Sequence, residues 1–333
     1  MTARRVCVAG ATGYLGSRLI AQLRARSMPV LAILKDKSCE AAQVKLNALG
    51  ATLAFVDASR CIESYAQALA GAETAISCMA SGNLHVDSID DFWAIDRDAN
   101  IRFGLEAVRA GAKHVILVAT FEGRDSRRLT EFSDAKECAV DAIGAACRQA
   151  GVAFTVIRPT AYFSDLTNRA FDSVLKRGRY TVIGDGSHRI NPVDGDDVAA
   201  FIADCIDDPR MADSEHQVGG PDIFTFRAIG LPAAEVIGLP GPLKIRAIPL
   251  WLLRLVAALA TIVGLVSQRS RRSAAILRWM IYSGSHDAIG VSCGTGRLCD
   301  DFRSKRDGQI RVASLRNEAI TLDRDPGSGR HQL

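Results

Sequence analysis

Three glycines near the start of the chain, Gly10, Gly13 and Gly16, have the spacing G-x-x-G-x-x-G. They lie between a short apolar run, residues 5–9, and a stretch with leucine at every fourth position, which is the pattern of a strand followed by a helix. In such a turn the glycines permit a tight bend, close approach of the backbone to a pyrophosphate, and close packing of helix on strand. The helix N-terminus adds unpaired N–H groups and a partial positive charge. The pattern therefore predicts a dinucleotide site, and the alternative is a glycine-rich turn that binds nothing. We expect the turn to contact the cofactor through Gly10, Thr12, Gly13, Tyr14, Leu15 and Gly16.

The end of the second predicted strand distinguishes NAD from NADP. A carboxylate there binds the ribose hydroxyls of NAD, whereas a cation accommodates the 2′-phosphate of NADP. Lys35 occupies that position and Lys37 lies nearby, so we expect NADPH in preference to NADH. Two alternatives are open. Asp36 would bind NADH if the register shifts by one, or Lys35 and Lys37 are solvated loop charges that bind no cofactor.

Further cofactor contacts are expected where later strands end, because ligands bind at the carboxyl ends of parallel strands. Asp57 follows the third strand and is placed to meet the adenine end. Ser77, Met79 and Ala80 follow the fourth strand and should border the cofactor.

Short apolar runs alternate with helical patterns over the first 185 residues. We predict strands at residues 5–9, 30–34, 52–56, 74–77, 114–119, 154–158 and 180–183. Their near-continuous apolar character indicates parallel strands buried on both faces. The expected fold is an α/β, Rossmann-type, doubly wound parallel sheet with a smaller, mainly helical C-terminal substrate lobe. We expect a nucleotide-binding domain at 1–185, the lobe at 186–305 and a disordered tail at 306–333.

The bulk composition excludes several functional classes. The 333 residues carry a formal net charge of only +4, and no Lys/Arg block is interleaved with aromatics, so we expect no nucleic-acid partner. Nine cysteines without C-x-x-C spacing indicate neither a zinc site nor a disulfide framework. No secretory signal is recognisable at the N-terminus, so we expect a reducing, cytoplasmic location.

One apolar stretch, residues 247–267, is interrupted by Arg254 and followed by Arg269, Arg271 and Arg272. Our first interpretation is a buried or groove-lining helix. The second is peripheral membrane contact through residues 247–272, because arginines flank an apolar face. A membrane-spanning helix is disfavoured by Arg254 within the stretch.

The motif GATGYLG, together with EFSDAKECAVDAI, RPTAYFSD, INPVDGDDVA and CGTGRLCDDF, resembles the atypical, extended short-chain dehydrogenase/reductases. Within them the chain resembles the NmrA-like, NAD(P)H-binding branch, and in particular the divinyl chlorophyllide 8-vinyl reductases. The resemblance covers most of residues 4–303 and implies an NAD(P)H-dependent oxidoreductase. It points to reduction of a C=C (vinyl) group on a large apolar substrate such as divinyl chlorophyllide. The alternative is a non-catalytic NAD(P)-binding sensor or assembly factor, of which the branch has examples.

The resemblance also implies catalytic positions, because ordinary members use Tyr and Lys at Y-x-x-x-K with a Ser. Here Lys136 is present, Phe132 replaces the tyrosine, and Thr120 stands at the serine position. Phenylalanine cannot transfer a proton, so alcohol–ketone chemistry is in doubt whereas alkene reduction is compatible. Lys136 is then expected to contact the cofactor, the alternative being a solvated helix lysine. Tyr162 is the nearest replacement acid along the chain, the alternative being an aromatic pocket wall.

Residues after the sixth predicted strand should also border the site. We expect Pro159, Thr160 and Phe163 to contact the cofactor or substrate. His188 and Asn191 are candidates to orient a substrate, although a surface histidine is an equal alternative. The acidic cluster Asp194, Asp196 and Asp197 precedes a helix, so we expect it to cap that helix rather than bind metal.

Overall fold

The computed structural model describes residues 5–35, 40–56, 62–81 and 92–308, with residues 62–64 described by their backbone alone. The strands are β1 (Val6–Ala9), β2 (Val30–Leu34), β3 (Thr52–Phe55), β4 (Thr74–Ser77), β5 (His114–Val118), β6 (Ala153–Pro159), β7 (Arg179–Ile183), β8 (Arg189–Ile190), β9 (Glu215–Gly219), β10 (Phe224–Thr225), β11 (Lys244–Ile248) and β12 (Val291–Ser292). The α-helices are α1 (Tyr14–Ala25), α2 (Glu40–Ala48), α3 (Ile62–Leu69), α4 (Asn100–Arg109), α5 (Gly123–Ser126), α6 (Glu131–Ala150), α7 (Phe163–Arg177), α8 (Gly195–Asp207), α9 (Gly230–Ile237), α10 (Leu250–Val263) and α11 (Gln268–Ser283). A π-helix (Phe92–Ala99) leads into α4, and a 3₁₀ turn (Pro209–Met211) follows α8.

Eight strands form one sheet in the order β12-β9-β6-β5-β4-β1-β2-β3, and every neighbouring pair in it is parallel. Strands β1, β2 and β4 are buried along their whole length, as their continuous apolar sequences predict. Strands β2 and β3 are added on one side of β1, and β4, β5 and β6 on the other. The connections on the two sides of this switch point run in opposite directions, which leaves a crevice at the carboxyl ends of β1 and β4. The predicted Rossmann-type fold is confirmed.

Helices cover both faces of the sheet. On one face, α1 and α8 pack together over a core that includes Leu15, Leu19 and Leu23, the leucines of the predicted helical stripe. On the other face, α3, α4 and α6 enclose a second core around Phe103 and Ile143. The crevice therefore lies at the edge of a rigid, doubly covered sheet.

The chain after residue 185 contributes more strand than its sequence predicts. β9 and β12 extend the central sheet, while β10 pairs with β8 and β11 pairs with β7 in two-stranded sheets. These segments are short or carry polar residues, so a search for apolar runs does not find them. Helices α7 and α9 enclose a third core with Phe171 and Phe302. Residues 298–308 are helical, so a helix continues three residues beyond the predicted start of the tail, and residues 309–333 lie outside the described part.

Candidate functional site

The glycine turn between β1 and α1 is held against the end of β4. Gly10 has a φ of +75°, a conformation that L side chains rarely adopt. A Cβ at Gly10 would lie 2.7 Å from the carbonyl carbon of Cys78 and 2.9 Å from the amide nitrogen of Met79. A Cβ at Gly16 would lie 2.2 Å from the Gly10 carbonyl oxygen. Glycine is thus required at Gly10 and Gly16 because the backbone of another segment lies too close for a Cβ atom, and at Gly10 also because of the turn.

The first turn of α1 suits a bound anion. Gly13 is the N-cap residue, no side chain caps the helix, and the first turn contains no carboxylate. Thr12 and Gly13 are exposed, whereas Leu15 is buried, so the open N–H groups are reached from the Thr12–Gly13 side. An uncapped helix N-terminus with exposed glycine beside it fits the pyrophosphate of a dinucleotide.

Lys136 reaches this crevice from α6 on the other side of β4. Its Nζ atom donates a hydrogen bond of 2.7 Å to the carbonyl oxygen of Met79, the residue that Gly10 approaches. The Lys136 side chain is only 3 % exposed, so the alternative of a solvated helix lysine is wrong. The structure therefore brings together the glycine turn, Met79 and the lysine expected to be catalytic.

The Lys136 side chain also contacts a buried carboxylate, that of Asp96, which the sequence did not indicate. Asp96, fully buried in the π-helix, pairs with Lys136 at 2.9 Å. The same side chain accepts hydrogen bonds from the Ser81 hydroxyl at 2.5 Å and the Ser81 amide at 3.2 Å. A π-helix departs from the 3.6-residue period, so helical patterning gives no signal for Asp96, although such segments occur frequently at functional sites.

Ser77 and Ala80 complete the β4 edge. The Ser77 hydroxyl donates a 2.6 Å hydrogen bond to Asn100 Oδ1 in the buried interior, and it accepts one from the Met79 amide at 3.4 Å. Asn100 Nδ2 in turn donates to the carbonyl oxygen of Ile95 at 2.9 Å. Ser77 thus shapes the loop that carries Met79, while Ala80 is exposed at the crevice edge.

A buried ion pair fixes the loop after β5. Arg158 on β6 donates two hydrogen bonds to Glu137 on α6, at 2.6 and 3.0 Å, and both side chains are almost fully buried. Arg158 also donates to the carbonyl oxygen of Thr120 at 2.8 Å and to Glu215 at 2.9 Å. A Cβ at Gly123 would lie 2.2 Å from a Glu137 oxygen, so the loop fits closely over the pair. The sequence does not predict this network. Charged residues are rarely buried unless they are paired, so Arg158 and Glu137 are expected at the surface, and their pairing cannot be read from the sequence.

Phe132 lies one turn before Lys136 in an aromatic cluster. Its ring meets Phe92 edge-on with centroids 5.6 Å apart, and Trp93 and Ala275 pack in the same cluster. The position that carries a tyrosine in ordinary short-chain enzymes is therefore apolar in its surroundings as well as in its side chain.

Two hydroxyl groups at the ends of β5 and β6 have no hydrogen-bond partner in the described part of the chain. They are Thr120 Oγ1 and the Tyr162 hydroxyl, and both atoms are buried. Burial raises the pKa of Tyr162 well above its ordinary value, so this phenol stays protonated. The Tyr162 ring meets Tyr14 of the glycine motif edge-on, with centroids 5.2 Å apart. Tyr162 is therefore an unpaired hydrogen-bond donor beside the glycine turn.

Other residues after β6 are used by the fold. The Thr160 hydroxyl donates to the carbonyl oxygen of Asn191 at 2.7 Å, next to buried Pro159. Phe163 is 2 % exposed and packs in the C-terminal core. Asn191 is enclosed by hydrogen bonds to Gly220 and Gly290, which leaves little capacity for a substrate. His188 lies at the surface, 3.5 Å from Asp287.

The acidic cluster caps α8 as expected. Asp194 is the N-cap residue and its side chain accepts a 2.9 Å hydrogen bond from the Asp196 amide. Asp196 pairs with Arg18, and Asp197 accepts from the Gly296 amide at 2.8 Å. Among the described residues, no group of three or more His, Cys, Asp or Glu side chains is arranged to hold a metal ion.

Lys35 directly follows β2 and its side chain is exposed. This is the position at which a cation meets the 2′-phosphate of NADP. Asp36, Lys37 and Asp57, the other residues expected near the adenosine end, lie outside the described residues.

Helix α10 does not behave as a buried helix. It buries only Leu253 and Ala257 of its fourteen residues, and all its other large apolar side chains except the half-buried Leu250 are exposed. Ala257, Ala258 and Thr261 do line a cavity against α11, so the groove-lining part of the first interpretation holds. Within the ranges described, no helix is long and apolar enough to cross a bilayer.

Comparison with known proteins gives relatives of one kind. The chain is 32 % identical over 231 residues to the chloroplastic divinyl chlorophyllide a 8-vinyl-reductase of Zea mays, covering 65 % of this chain and 55 % of that protein. It is 29 % identical over 228 residues to the enzyme of the same name from Arabidopsis thaliana, covering 65 % and 53 %. The chain thus spans about half the length of the curated relatives it matches.

Solved structures share the fold. Triphenylmethane reductase of Citrobacter sp., complexed with NADP(H), superposes with a TM-score of 0.66 at 18 % identity, covering 90 % of this chain and 99 % of that chain. An NADPH-dependent quinone oxidoreductase from Escherichia coli, complexed with NADPH, gives a TM-score of 0.66 at 19 % identity, covering 89 % and 98 %.

A family profile described as NAD(P)H-binding matches residues 10–209, which is more than half of the chain. The match begins at the first glycine of the turn and extends beyond the helix that Asp194 caps. Together with the vinyl-reductase relatives, it confirms the resemblance seen in the sequence motifs. The chain belongs to the NAD(P)H-binding family.

Proposed function

We propose that this protein is an NADPH-dependent reductase of the atypical short-chain type that reduces a carbon–carbon double bond of a large apolar substrate. The observation that carries the proposal is that Gly10 and Lys136 both lie against the backbone of Met79. There the glycine turn and the buried Lys136 contact the same residue, while Phe132 occupies the usual place of the catalytic tyrosine. The vinyl-reductase relatives suggest a vinyl group, as on divinyl chlorophyllide, as the reacting bond.

The chain's own residues divide the work of holding the cofactor. The N–H groups that follow Gly13 hold the pyrophosphate, and Lys35 binds the 2′-phosphate. Lys136 and the Met79–Ala80 edge hold the nicotinamide end, with Thr160 beside it. Substituting Lys35→Glu should therefore reverse the preference for NADPH over NADH, and fluorescence titration of both nucleotides measures this. An unchanged preference would remove Lys35 from the proposal.

Reduction of an alkene adds a hydride to one carbon and a proton to the other. When bound, NADPH supplies the hydride. The proton needs a donor on this chain or a water molecule, and Phe132 offers none. The Lys136 Nζ atom is a hydrogen-bond donor within the crevice, whereas burial raises the pKa of Tyr162 and makes its hydroxyl a poor proton donor. We assign Lys136 the central catalytic role, with Tyr162 and Thr120 as hydrogen-bond donors to the substrate.

The test is hydride transfer from 4-deuterated NADPH to conjugated vinyl acceptors, read by product mass. We expect one deuterium per reduced double bond, and a loss of roughly 10²-fold in rate for Lys136→Met. Phe132→Tyr should retain alkene reduction, because that chemistry does not need Phe132. A cooperative unfolding transition in urea controls for misfolding, because Lys136 is itself proposed to hold the nicotinamide end. If Lys136→Met reduces the acceptor as well as wild type, the lysine's role is refuted.

A second candidate is a non-catalytic NAD(P)-binding sensor or assembly factor. It is favoured by the absence of the tyrosine and by the engagement of Lys136 with Asp96. Measurement of substrate turnover distinguishes the two candidates. A sensor binds NADPH tightly but transfers no deuterium to any acceptor, and its nucleotide changes affinity for a protein partner.

We also propose that residues 1–185 hold the nucleotide and residues 186–305 supply most of the substrate's surroundings. Helix α8 and strands β9 and β12 come from the second range and complete the nucleotide-binding sheet. Deletion within the second range should therefore weaken nucleotide binding as well as substrate binding.

Peripheral membrane contact through residues 247–272 is a further part of the proposal. Nine of the sixteen exposed large apolar side chains in the described residues fall between Trp251 and Val266. From 236 to 286 the sequence contains no Asp or Glu but seven Lys or Arg: Lys244, Arg246, Arg254, Arg269, Arg271, Arg272 and Arg278. An apolar helix face with surrounding cations suits an anionic bilayer surface. Sedimentation with anionic vesicles, lost on Trp251→Glu together with Ile262→Glu, supports it, and equal recovery with and without vesicles contradicts it.

We propose a cytoplasmic location. The seven cysteines within the described ranges are all free thiols, which fits a reducing compartment.

A further inference from the structure

A solvent-open cavity of about 420 Å³ lies between α10 and α11, and none of its lining residues belongs to the glycine turn. Its lining residues are Leu129, Arg254, Ala257, Ala258, Thr261, Arg278, Ile281, Tyr282, Ser285 and His286. Its volume falls within the range of small-molecule sites, roughly 300–1,000 Å³. The lining combines an apolar wall with a few polar groups, which is the usual composition of such sites.

The charge of the lining is positive. No carboxylate is among the described residues that line the cavity, whereas two guanidinium groups are. Arg278 already has partners within the protein, because it forms an ion pair with Glu131 and donates a 3.1 Å hydrogen bond to Thr261. Arg254 has no ion-pair partner within the described part of the chain. Arg254 is exposed to solvent, so this guanidinium lies at the open rim of the cavity.

The remaining lining is mainly apolar, with Thr261, Ser285 and His286 as its polar members, and its aromatic wall is held in place. The Tyr282 ring stacks on His286 with centroids 4.6 Å apart, and Leu129, Ala257 and Ile281 complete the wall. The Tyr282 hydroxyl donates a 3.1 Å hydrogen bond to Glu122, which fixes the aromatic wall against the loop after β5. Burial and the Glu122 carboxylate raise the pKa of Tyr282, so this hydroxyl remains a donor. Ala258 leaves space that a larger side chain would fill.

We propose that this cavity is a binding site for an apolar molecule that carries a single carboxylate, with Arg254 as the charge partner. A monoanion is indicated because only one guanidinium lacks a partner, whereas a phosphate monoester carries about −1.5 to −2 charges at pH 7. The apolar part of the ligand lies along Ala258 and Ile281 and the stacked rings. The site needs neither NADPH nor turnover, so it goes beyond the proposed reductase function.

The experiment is calorimetric titration of the full chain with decanoate and with decanol, below the concentration at which decanoate forms micelles. Decanol has the same alkyl chain without the charge. We expect decanoate to bind about three- to fivefold more tightly than decanol, as an ion pair with an exposed guanidinium allows. Arg254→Gln should remove that difference. Arg271→Gln is the matched control, because Arg271 belongs to the same cationic segment and does not line the cavity.

Ala258→Phe tests whether the ligand lies in the cavity, because Ala258 lines its solvent-exposed side. It should weaken binding of both ligands by tenfold or more, whereas Val266→Ala, which changes an exposed residue outside the cavity, should not. Equal losses for Arg254→Gln and Arg271→Gln would mean that general charge attraction is responsible. Unchanged binding by Ala258→Phe would place the ligand on the surface. Either result overturns the proposal. Measuring decanoate binding to Gly13→Asp distinguishes this site from the nucleotide site, because the proposal expects no change.

Discussion

Replacing Gly10 by alanine tests why the turn needs glycine, and Gly71→Ala provides a matched control. Both glycines have nearly the same φ, +75° at Gly10 and +74° at Gly71. They differ in their surroundings. A Cβ at Gly71 meets nothing within 4 Å, whereas a Cβ at Gly10 would lie 2.7 Å from the Cys78 backbone. The difference between the two variants therefore isolates the close approach of β1 and β4.

The expected magnitudes follow from that geometry. The left-handed conformation costs an alanine about 1–2 kcal/mol, and both variants bear this cost. At Gly10 the added methyl overlaps backbone on the carbonyl carbon and oxygen of Cys78 and the nitrogen of Met79. Forcing a methyl group into a well-packed site costs about 1–3 kcal/mol more. We expect Gly71→Ala to lower the free energy of unfolding by about 1–2 kcal/mol and Gly10→Ala by about 2–5 kcal/mol.

The assay has two readouts. Urea denaturation followed by circular dichroism gives the free energies of unfolding, and NADPH titration gives the affinity. Gly10→Ala should also weaken NADPH binding, because displacing the Cys78–Met79 backbone moves the residue that Lys136 contacts, whereas Gly71→Ala should bind normally. If Gly10→Ala is no less stable than Gly71→Ala, the argument from close backbone approach is refuted.

Three further predictions concern the framework around the crevice. Glu137→Gln removes the fully buried one of the two carboxylates that pair with Arg158 and leaves the half-exposed Glu215. It should lower the free energy of unfolding by about 3 kcal/mol in urea titrations, the low end of the range for breaking a buried pair, and a loss below 1 kcal/mol would contradict the assignment. His114 has a pKa lowered by burial, and it hydrogen-bonds the Thr155 hydroxyl at 2.8 Å. Its unfolded form binds the proton more readily, so stability should fall as pH drops below about 6.5, by at most about 1.4 kcal/mol per pH unit. Unfolding curves at several pH values should show that His114→Gln flattens this dependence, and an equal slope in the variant would exclude the residue. Asp194→Ala removes the α8 N-cap and should lower the melting temperature through a loss of about 1 kcal/mol, which Asp194→Asn largely avoids; equal losses in both variants would argue against capping.

The parts of the fold set by strong local patterns were predictable from sequence. Buried parallel strands such as β2 and β4 are continuous apolar runs, and the glycine spacing marks the turn between β1 and α1. Strand β9 was missed because its sequence, EHQVG, is mostly polar and only its last two residues are buried. Pairing with β6 along one edge, rather than hydrophobicity, makes it a strand.

The surroundings of the candidate catalytic lysine were not predictable in the same way. Lys136 and Glu137 are neighbours on α6, and successive helix residues point about 100° apart, so they meet different partners. Lys136 meets Asp96 from the π-helix, whereas Glu137 meets Arg158 from β6. Both pairs depend on how separate elements pack, which residue spacing along one helix does not reveal. Phe132, by contrast, was identified from the motif alone, and its aromatic cluster follows from its apolar side chain.

The most direct test of the central claim is titration of the purified protein with NADPH and NADH, with wild type beside Gly13→Asp. The account predicts saturable binding of both nucleotides by wild type, with NADPH the tighter. It predicts loss of both in Gly13→Asp, because that change places a carboxylate at the uncapped N-terminus of α1. Wild type that binds neither nucleotide, or a Gly13→Asp variant that binds as wild type does, would contradict the assignment of the glycine turn as the nucleotide site.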